Sequence, residues 1–201
     1  MDKNKATESA SYRLIKKPPT VTDHMLVEGH YDAQLIRDGK VVWSEKGKNL
    51  ITTEGMNYMI DMTLPLAGTQ VTGPWQMSIA TVVTAGVDGS TGSQLGGTGA
   101  VTEFIDYGGD ALREPITFAA ASARASVAST ASFTMDSGVS AVTINGGFIC
   151  ADGTATAQGG TATFLWSIFS FTAPPVVNEF DQLDVTYTVT FGSTNLAGAA
   201  V

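Results

Sequence analysis

The chain has little of what most catalytic and metal sites are made from. Of its 201 residues one is cysteine and two are histidine. A single thiol excludes an intrachain disulfide. Cys150 lies in the apolar run Phe148-Ile149-Cys150-Ala151, where a thiol packs as a small hydrophobe. His24 and His30 stand six residues apart with no Ser or Cys nucleophile motif beside them, and no GxSxG, HExxH or paired CxxC occurs. They read as exposed or strand-face histidines, and with one cysteine they do not make an ordinary zinc site. Lysine is missing beyond Lys48, so the Gly-rich stretch over 85–101 lacks the cation of a phosphate-binding loop. Charged residues make up only 15% of the chain, against about 25% in ordinary soluble domains. No apolar run has the length of a membrane span, and Met1–Lys17 has no apolar leader segment. The expectation is a protein made and kept in a reducing cytosol, or assembled there, with no membrane partner.

What is present points to packing. Hydrophobic residues account for 43% of the chain, enough to bury a core without disulfides or metals. Gly, Ala, Ser and Thr dominate from about Thr69 onwards. Such small side chains lose little entropy when another chain covers them. The charge is divided: residues 1–50 carry nine of the eleven basic residues against seven acids, and residues 51–201 carry two against twelve. An acidic body excludes a large nucleic-acid interface, which needs clustered Lys and Arg. The basic head either pairs with the acidic surface of a neighbouring copy or is a solvated tail.

Residues 1–25 are polar and interrupted by Pro18-Pro19, which favours extended backbone and an arm. From Leu26 a single domain over 26–201 is expected. Asp38-Gly39 between two strand-like runs marks a hairpin. Met56, Met59, Ile60 and Leu64 recur at helical spacing, with Thr52 or Thr53 as cap and Pro65 as stop, so one short helix is expected near 53–64. Trp75–Val83 reads as a strand, and 85–101 as a long exposed Gly-rich loop. Candidate strands follow at Glu114–Ala119, Ala125–Met135, Ser140–Ala151, Thr161–Phe171 and Asp181–Phe191. In the last, Leu183, Val185, Tyr187, Val189 and Phe191 alternate with polar residues. Thr161–Phe171 is apolar on both faces, as in a central strand or one whose second face meets another subunit. Together these give a mainly β chain forming a β-sandwich, with a jelly-roll-like topology preferred and an immunoglobulin-like one as the alternative.

Two further chemistries are weighed. Glu103, Asp106 and Asp110 follow the Gly-rich stretch and offer hard oxygen ligands, but their spacing is not that of a 12-residue calcium loop. Trp43, Trp75 and Trp166 are too scattered to define a sugar-stacking surface and read as core.

Two pieces carry a resemblance. One is Gly39-Lys40-Val41-Val42-Trp43 followed by Lys48-Asn49-Leu50-Ile51-Thr52-Thr53-Glu54-Gly55-Met56-Asn57-Tyr58-Met59-Ile60-Asp61. The other is Ile144-Asn145-Gly146-Gly147-Phe148-Ile149, a small-residue loop, and the strand Asp181–Phe191. Together they resemble capsid decoration or cement proteins and related minor structural proteins of tailed bacteriophage virions. The resemblance implies a non-enzymatic protein without cofactor, metal or catalytic residues, partnered by a major capsid protein or other virion proteins and by copies of itself. It also implies a place in the virion after assembly in the host cytoplasm. A neck, tail or fibre protein of the same virion is the alternative within this class, and a carbohydrate-binding sandwich module the alternative outside it. In the arm, Tyr12, Leu14, Ile15, Pro18 and Pro19 are the expected interface residues.

Overall fold

The turn at Asp38-Gly39 starts the architecture. Both residues hold positive φ, 49° and 71°, as a two-residue hairpin turn requires. They join β1 (Met25–Arg37) to β2 (Lys40–Ile51). A computed structural model describes residues 25–63, 74–84, 91, 95, 101–151, 157–162 and 164–193. Of the arm assigned to residues 1–25, all but Met25 falls outside them; Tyr12, Leu14, Ile15, Pro18 and Pro19 are therefore outside the described residues. Met25 already belongs to β1.

The first layer forms where β12 (Gln182–Ser193) lies antiparallel to β1, from Met25 opposite Ser193 to Ile36 opposite Gln182. The alternation read in the sequence decides the faces: Tyr31, Ala33, Leu35, Leu183, Val185, Tyr187 and Val189 are buried. The far edge of β12 carries β6 (Ala125–Val127) and β7 (Ala131–Thr134). Sequence periodicity gives one strand over Ala125–Met135; the structure divides it. Between the pairs Val127–Thr188 and Ala131–Val185 this segment has one residue more than β12. Ala128 still donates its N–H to the Tyr187 carbonyl, but Ser129 turns away and donates to Thr117. This is how a bulge interrupts a ladder.

The second layer is built on β3 (Trp75–Val83), β9 (Gly146–Ala151) and β10 (Phe164–Ser170), with β4 (Val101–Glu103) and β5 (Glu114–Ile116) along the β3 edge. All the strand pairings are antiparallel. β2 belongs to both layers. Up to Asn49 it pairs with β1, and then Leu50 and Ile51 pair with Ile168 and Ser167 of β10. The connected order is β4-β3-β9-β10-β2-β1-β12-β6, and the two layers face each other across one core. Met77, Ile79, Ile149, Trp166 and Phe169 from one side meet Leu35, Phe133, Val185 and Tyr187 from the other. The expectation of a mainly β sandwich with one helix holds among the described residues.

The helix α1 (Thr53–Thr63) follows β2 directly. Thr52 is its cap: the Thr52 hydroxyl accepts from Gly55 N–H at 3.0 Å and donates to the Leu165 carbonyl. Glu54 accepts from Leu165 N–H at 2.8 Å, and Met59 is buried. A Cβ on Gly55 would lie 2.4 Å from the Trp166 carbonyl oxygen, so the helix approaches β10 as closely as only glycine permits.

Three more expected strands are shorter or divided. Ser140–Ala151 becomes β8 (Val142–Thr143), paired with β11 (Val176–Val177), and then β9. Ile144 and Asn145 cross between the sheets by donating to the carbonyls of Pro175 and Ala80. Glu114–Ala119 shortens to Glu114–Ile116, and Thr161–Phe171 begins its strand at Phe164. The loop expected to be exposed over 85–101 is described only at Thr91, Leu95 and Val101. Leu95 and Val101 are buried, and Val101 opens β4. With Ala162 they cover Ala80, Phe148, Cys150, Leu165 and Ile168 on the outer face of β3, β9 and β10. The second apolar face of β10 is therefore closed by segments of the same chain, not by another subunit.

Candidate functional site

The densest polar constellation sits under that cover. Arg113 and Glu103 form a bidentate ion pair, with Nε to Oε1 and Nη2 to Oε2 both at 2.8 Å. Their side chains are 0% and 2% exposed. Glu103 also accepts from Ser78 Oγ at 2.6 Å and from Gly159 N–H at 2.8 Å. Ser78 Oγ lies 2.8 Å from the Tyr107 hydroxyl. Arg113 donates further to the Gly160 carbonyl, approaches Cys150 Sγ at 3.8 Å and stands 5.3 Å over the Phe148 ring. Burial works against the Arg113 charge, but the hydrogen bonds and charge of Glu103 outweigh it and hold the guanidinium above its ordinary value. Burial raises the Tyr107 phenol. These hydrogen bonds link Ser78 of β3, Glu103 of β4, Tyr107, Arg113 just before β5, and Gly159 and Gly160, so the network locks covering segments onto the sheet.

A second knot joins the two pieces of sequence that carry the resemblance. The Tyr187 hydroxyl accepts from Trp166 Nε1 at 3.0 Å and from Asn49 Nδ2 at 3.1 Å. Thr52 N–H donates to the Trp166 carbonyl at 3.0 Å. Glu45 closes the layers further along: it accepts from the N–H groups of Thr172 and Ala173 at 2.7 and 3.0 Å, with the Tyr31 hydroxyl at 2.7 Å. Burial pushes the Glu45 carboxyl up, yet those donors leave it below its ordinary value.

The candidate chemistries of the sequence disperse. Glu103 points inward to Arg113, whereas Asp106 and Asp110 are exposed, so the three acids do not converge on a cation. Among the described residues no group of three or more His, Cys, Asp or Glu side chains is arranged to hold a metal. His30 stands on the outer face of β1, 3.7 Å from Glu28; His24 lies outside the described residues. Cys150 is fully buried, as its apolar run implied, though beside a guanidinium that the sequence did not announce. Trp166 is in the core, and Trp43 and Trp75 pack against it.

The surface has one pole of distinct character. Arg37, at the end of the first hairpin, donates to Asp181 through Nε and Nη2 at 2.9 and 2.6 Å, and Nη2 reaches the Val176 carbonyl at 3.2 Å. The Arg37 hydrogen bonds, with Asn178 N–H on Asp181, hold the Asp181 carboxyl below its ordinary value. Around it Val41, Val42 and Val176 are about half exposed and Phe180 is 69% exposed. Phe180 holds φ of 63°, a region that bulky side chains rarely enter. Its N–H donates to the Met135 carbonyl, and its side chain faces solvent.

Beside Phe180 lies an open cleft of about 760 Å³, lined by residues that include Asp106, Gly109, Asp136, Ser140 and Val142. Glu179 stands at its rim and accepts from Gly138 N–H at 3.2 Å. Asp110 and Glu114 approach the adjoining turn at Gly108. Burial and the nearby Asp110 charge push the Glu114 carboxyl above its ordinary value. Sequence reasoning missed this pole, because its members come from four separate segments, 37–42, 105–114, 136–142 and 176–181. The two signals it could have used were Asp-Ser-Gly at 136–138 and the apolar residues flanking acids at 105–112 and 176–181.

No family model, no curated protein and no solved structure matches the chain. No helix among the described residues is long and apolar enough to cross a membrane.

Proposed function

We propose that this is a non-enzymatic structural protein of a bacteriophage virion, which decorates the capsid and stabilises it by cross-linking shell subunits. The virion assignment rests on the resemblance in residues 39–43, 48–61, 144–149 and 181–191. In the fold the two pieces meet where Asn49 donates to the Tyr187 hydroxyl. The observation that carries the packing role is the pole where Val41, Val42, Val176 and Phe180 expose apolar surface around Arg37. Water-facing apolar groups gathered at one end gain free energy when a partner covers them. A decorating protein works by that gain: each contact formed only with the assembled shell stabilises the shell by mass action. The same reading extends to the neck, tail or a fibre of the virion, where the protein would be present in far fewer copies.

Quantitative mass spectrometry of purified particles tests this. Copies comparable in number to the major shell protein are expected of a decorating protein, and a handful per particle of a neck, tail or fibre protein. Absence from every assembled particle sinks the virion reading. Shell-bound protein should also lose affinity on Phe180→Ser, and unchanged occupancy would remove this pole from the contact.

A further inference from the structure

The charges of the chain do not balance within its described body. Four ion pairs there use Arg37, Lys46, Lys48 and Arg113, which leaves Lys40 and Arg124 as the other described cations. Asp106, Asp110, Glu114, Asp136 and Glu179 gather around the cleft, and none of them forms an ion pair among the described residues. The same pole carries the exposed Phe180 and Val176, with Ile105 and Leu112 also exposed beside the acids. An occupant of this surface must bring cations and apolar side chains together. The chain contains such a segment outside the described residues: Ser11-Tyr12-Arg13-Leu14-Ile15-Lys16-Lys17-Pro18-Pro19 has three cations, three large apolar groups and no acid.

Distance decides which copy it serves. β1 runs from Met25 to Ile36, eleven residues on, or about 35 Å at the rise of a strand. Ile36 is opposite Gln182, Gln182 is opposite Thr134, and Asp136 lies beyond Thr134. The cleft is thus at the opposite pole from the point where the arm joins the body. Lys17 precedes Met25 by eight residues, a reach of about 28 Å at full extension. Lys16 and Lys17 therefore fall short of the chain's own cleft, and Arg13, twelve residues before Met25 with a reach of about 42 Å, spans the distance only in full extension, so one copy cannot bring all three cations to its own cleft. The cleft of a second copy has no such restriction.

We infer that Ser11–Pro19 of one copy docks into the acidic, apolar pole of the next, with Arg13, Lys16 and Lys17 on the carboxylates and Tyr12, Leu14 and Ile15 against Phe180 and its neighbours. The contact is head to tail, so it repeats from copy to copy and ends in a closed ring or an open chain. It goes beyond the virion reading, because copy number per particle neither requires nor excludes it, and the two can fail separately.

Sedimentation equilibrium of the full chain tests it. Self-association at low ionic strength should weaken as salt is added. The triple reversal Arg13→Glu/Lys16→Glu/Lys17→Glu should raise the dissociation constant about tenfold or more, the sum for three surface ion pairs. Asp106→Lys/Asp136→Lys should act alike, and mixing the two variants should restore association. Carbodiimide cross-linking of unsubstituted light and heavy isotope-labelled copies, which needs no variant to fold, should join Lys16 or Lys17 of one label to Asp106, Asp136 or Glu179 of the other. A chain that stays monomeric, an association indifferent to the reversals, or cross-links confined within one label would overturn the inference.

Discussion

Removing one charge from the Glu103–Arg113 pair is the sharpest perturbation the fold offers. In Glu103→Gln the side chain keeps its shape, but the two oxygens that accept four hydrogen bonds become one oxygen and one amide donor. The new amide faces donors already in place, and Arg113, 0% exposed, is left without a counter-charge. Stranding a buried ion in this way costs about 3–5 kcal/mol, a large share of the roughly 5–15 kcal/mol by which a domain is stable. Urea unfolding followed by tryptophan fluorescence measures it, with Trp166 buried and Trp43 and Trp75 partly so. With a slope of about 2 kcal/mol per molar, the midpoint should fall by about 1.5–2.5 M. Glu103→Gln/Arg113→Met should recover at least about 1 kcal/mol of the loss, since it removes the stranded charge as well. A single variant within about 0.5 kcal/mol of the parent, or a double variant no better than the single, would refute the assignment of this pair as a buried structural lock.

Three other perturbations probe other parts of the fold. Gly55→Ala places a methyl against the Trp166 carbonyl and should cost about 1–3 kcal/mol by forcing α1 away from β10, seen as a lower melting temperature. Tyr187→Phe leaves the Trp166 indole and the Asn49 amide without their shared acceptor and should cost about 1–3 kcal/mol in chemical denaturation. The depressed carboxyls of Asp181 and Glu45 contribute stability that is complete above their unfolded values near pH 4 and is lost as pH falls through their lower folded values. A thermal-melt series from pH 6 down to pH 2 should show that decline, and Arg37→Gln should shrink it by returning Asp181 toward its ordinary value.

The parts of the fold that follow local rules were readable in the sequence. Asp38-Gly39 demands its turn, Leu183 to Val189 alternate because one face is buried, and Thr52 caps the helix that the Met spacing outlines. Strand lengths were not readable, because the bulge after Val127 and the crossing at Ile144-Asn145 are set by partners far along the chain. Arg113 was equally opaque: nothing near it in sequence shows that Glu103, Gly160 and Phe148 will enclose it. The surface pole was hidden for the same reason, since Asp106, Asp136, Val176 and Phe180 meet only through β8, β11 and the turns beside them.

The pairing of β1 with β12 gives the molecule a direction. Because Met25 lies opposite Ser193, the chain enters and leaves its described body side by side at one pole. The hairpin turn, the cleft and Phe180 occupy the other. Midway along the strands Asn49, Trp166 and Tyr187 tie β2, β10 and β12 into one core. At the far pole apolar side chains and unneutralised acids remain exposed. Arg13, Lys16 and Lys17 precede Met25 in the sequence, and Met25 lies at the pole away from those acids. In the docking proposed above, that separation of tether from acceptor makes the contact a repeating one.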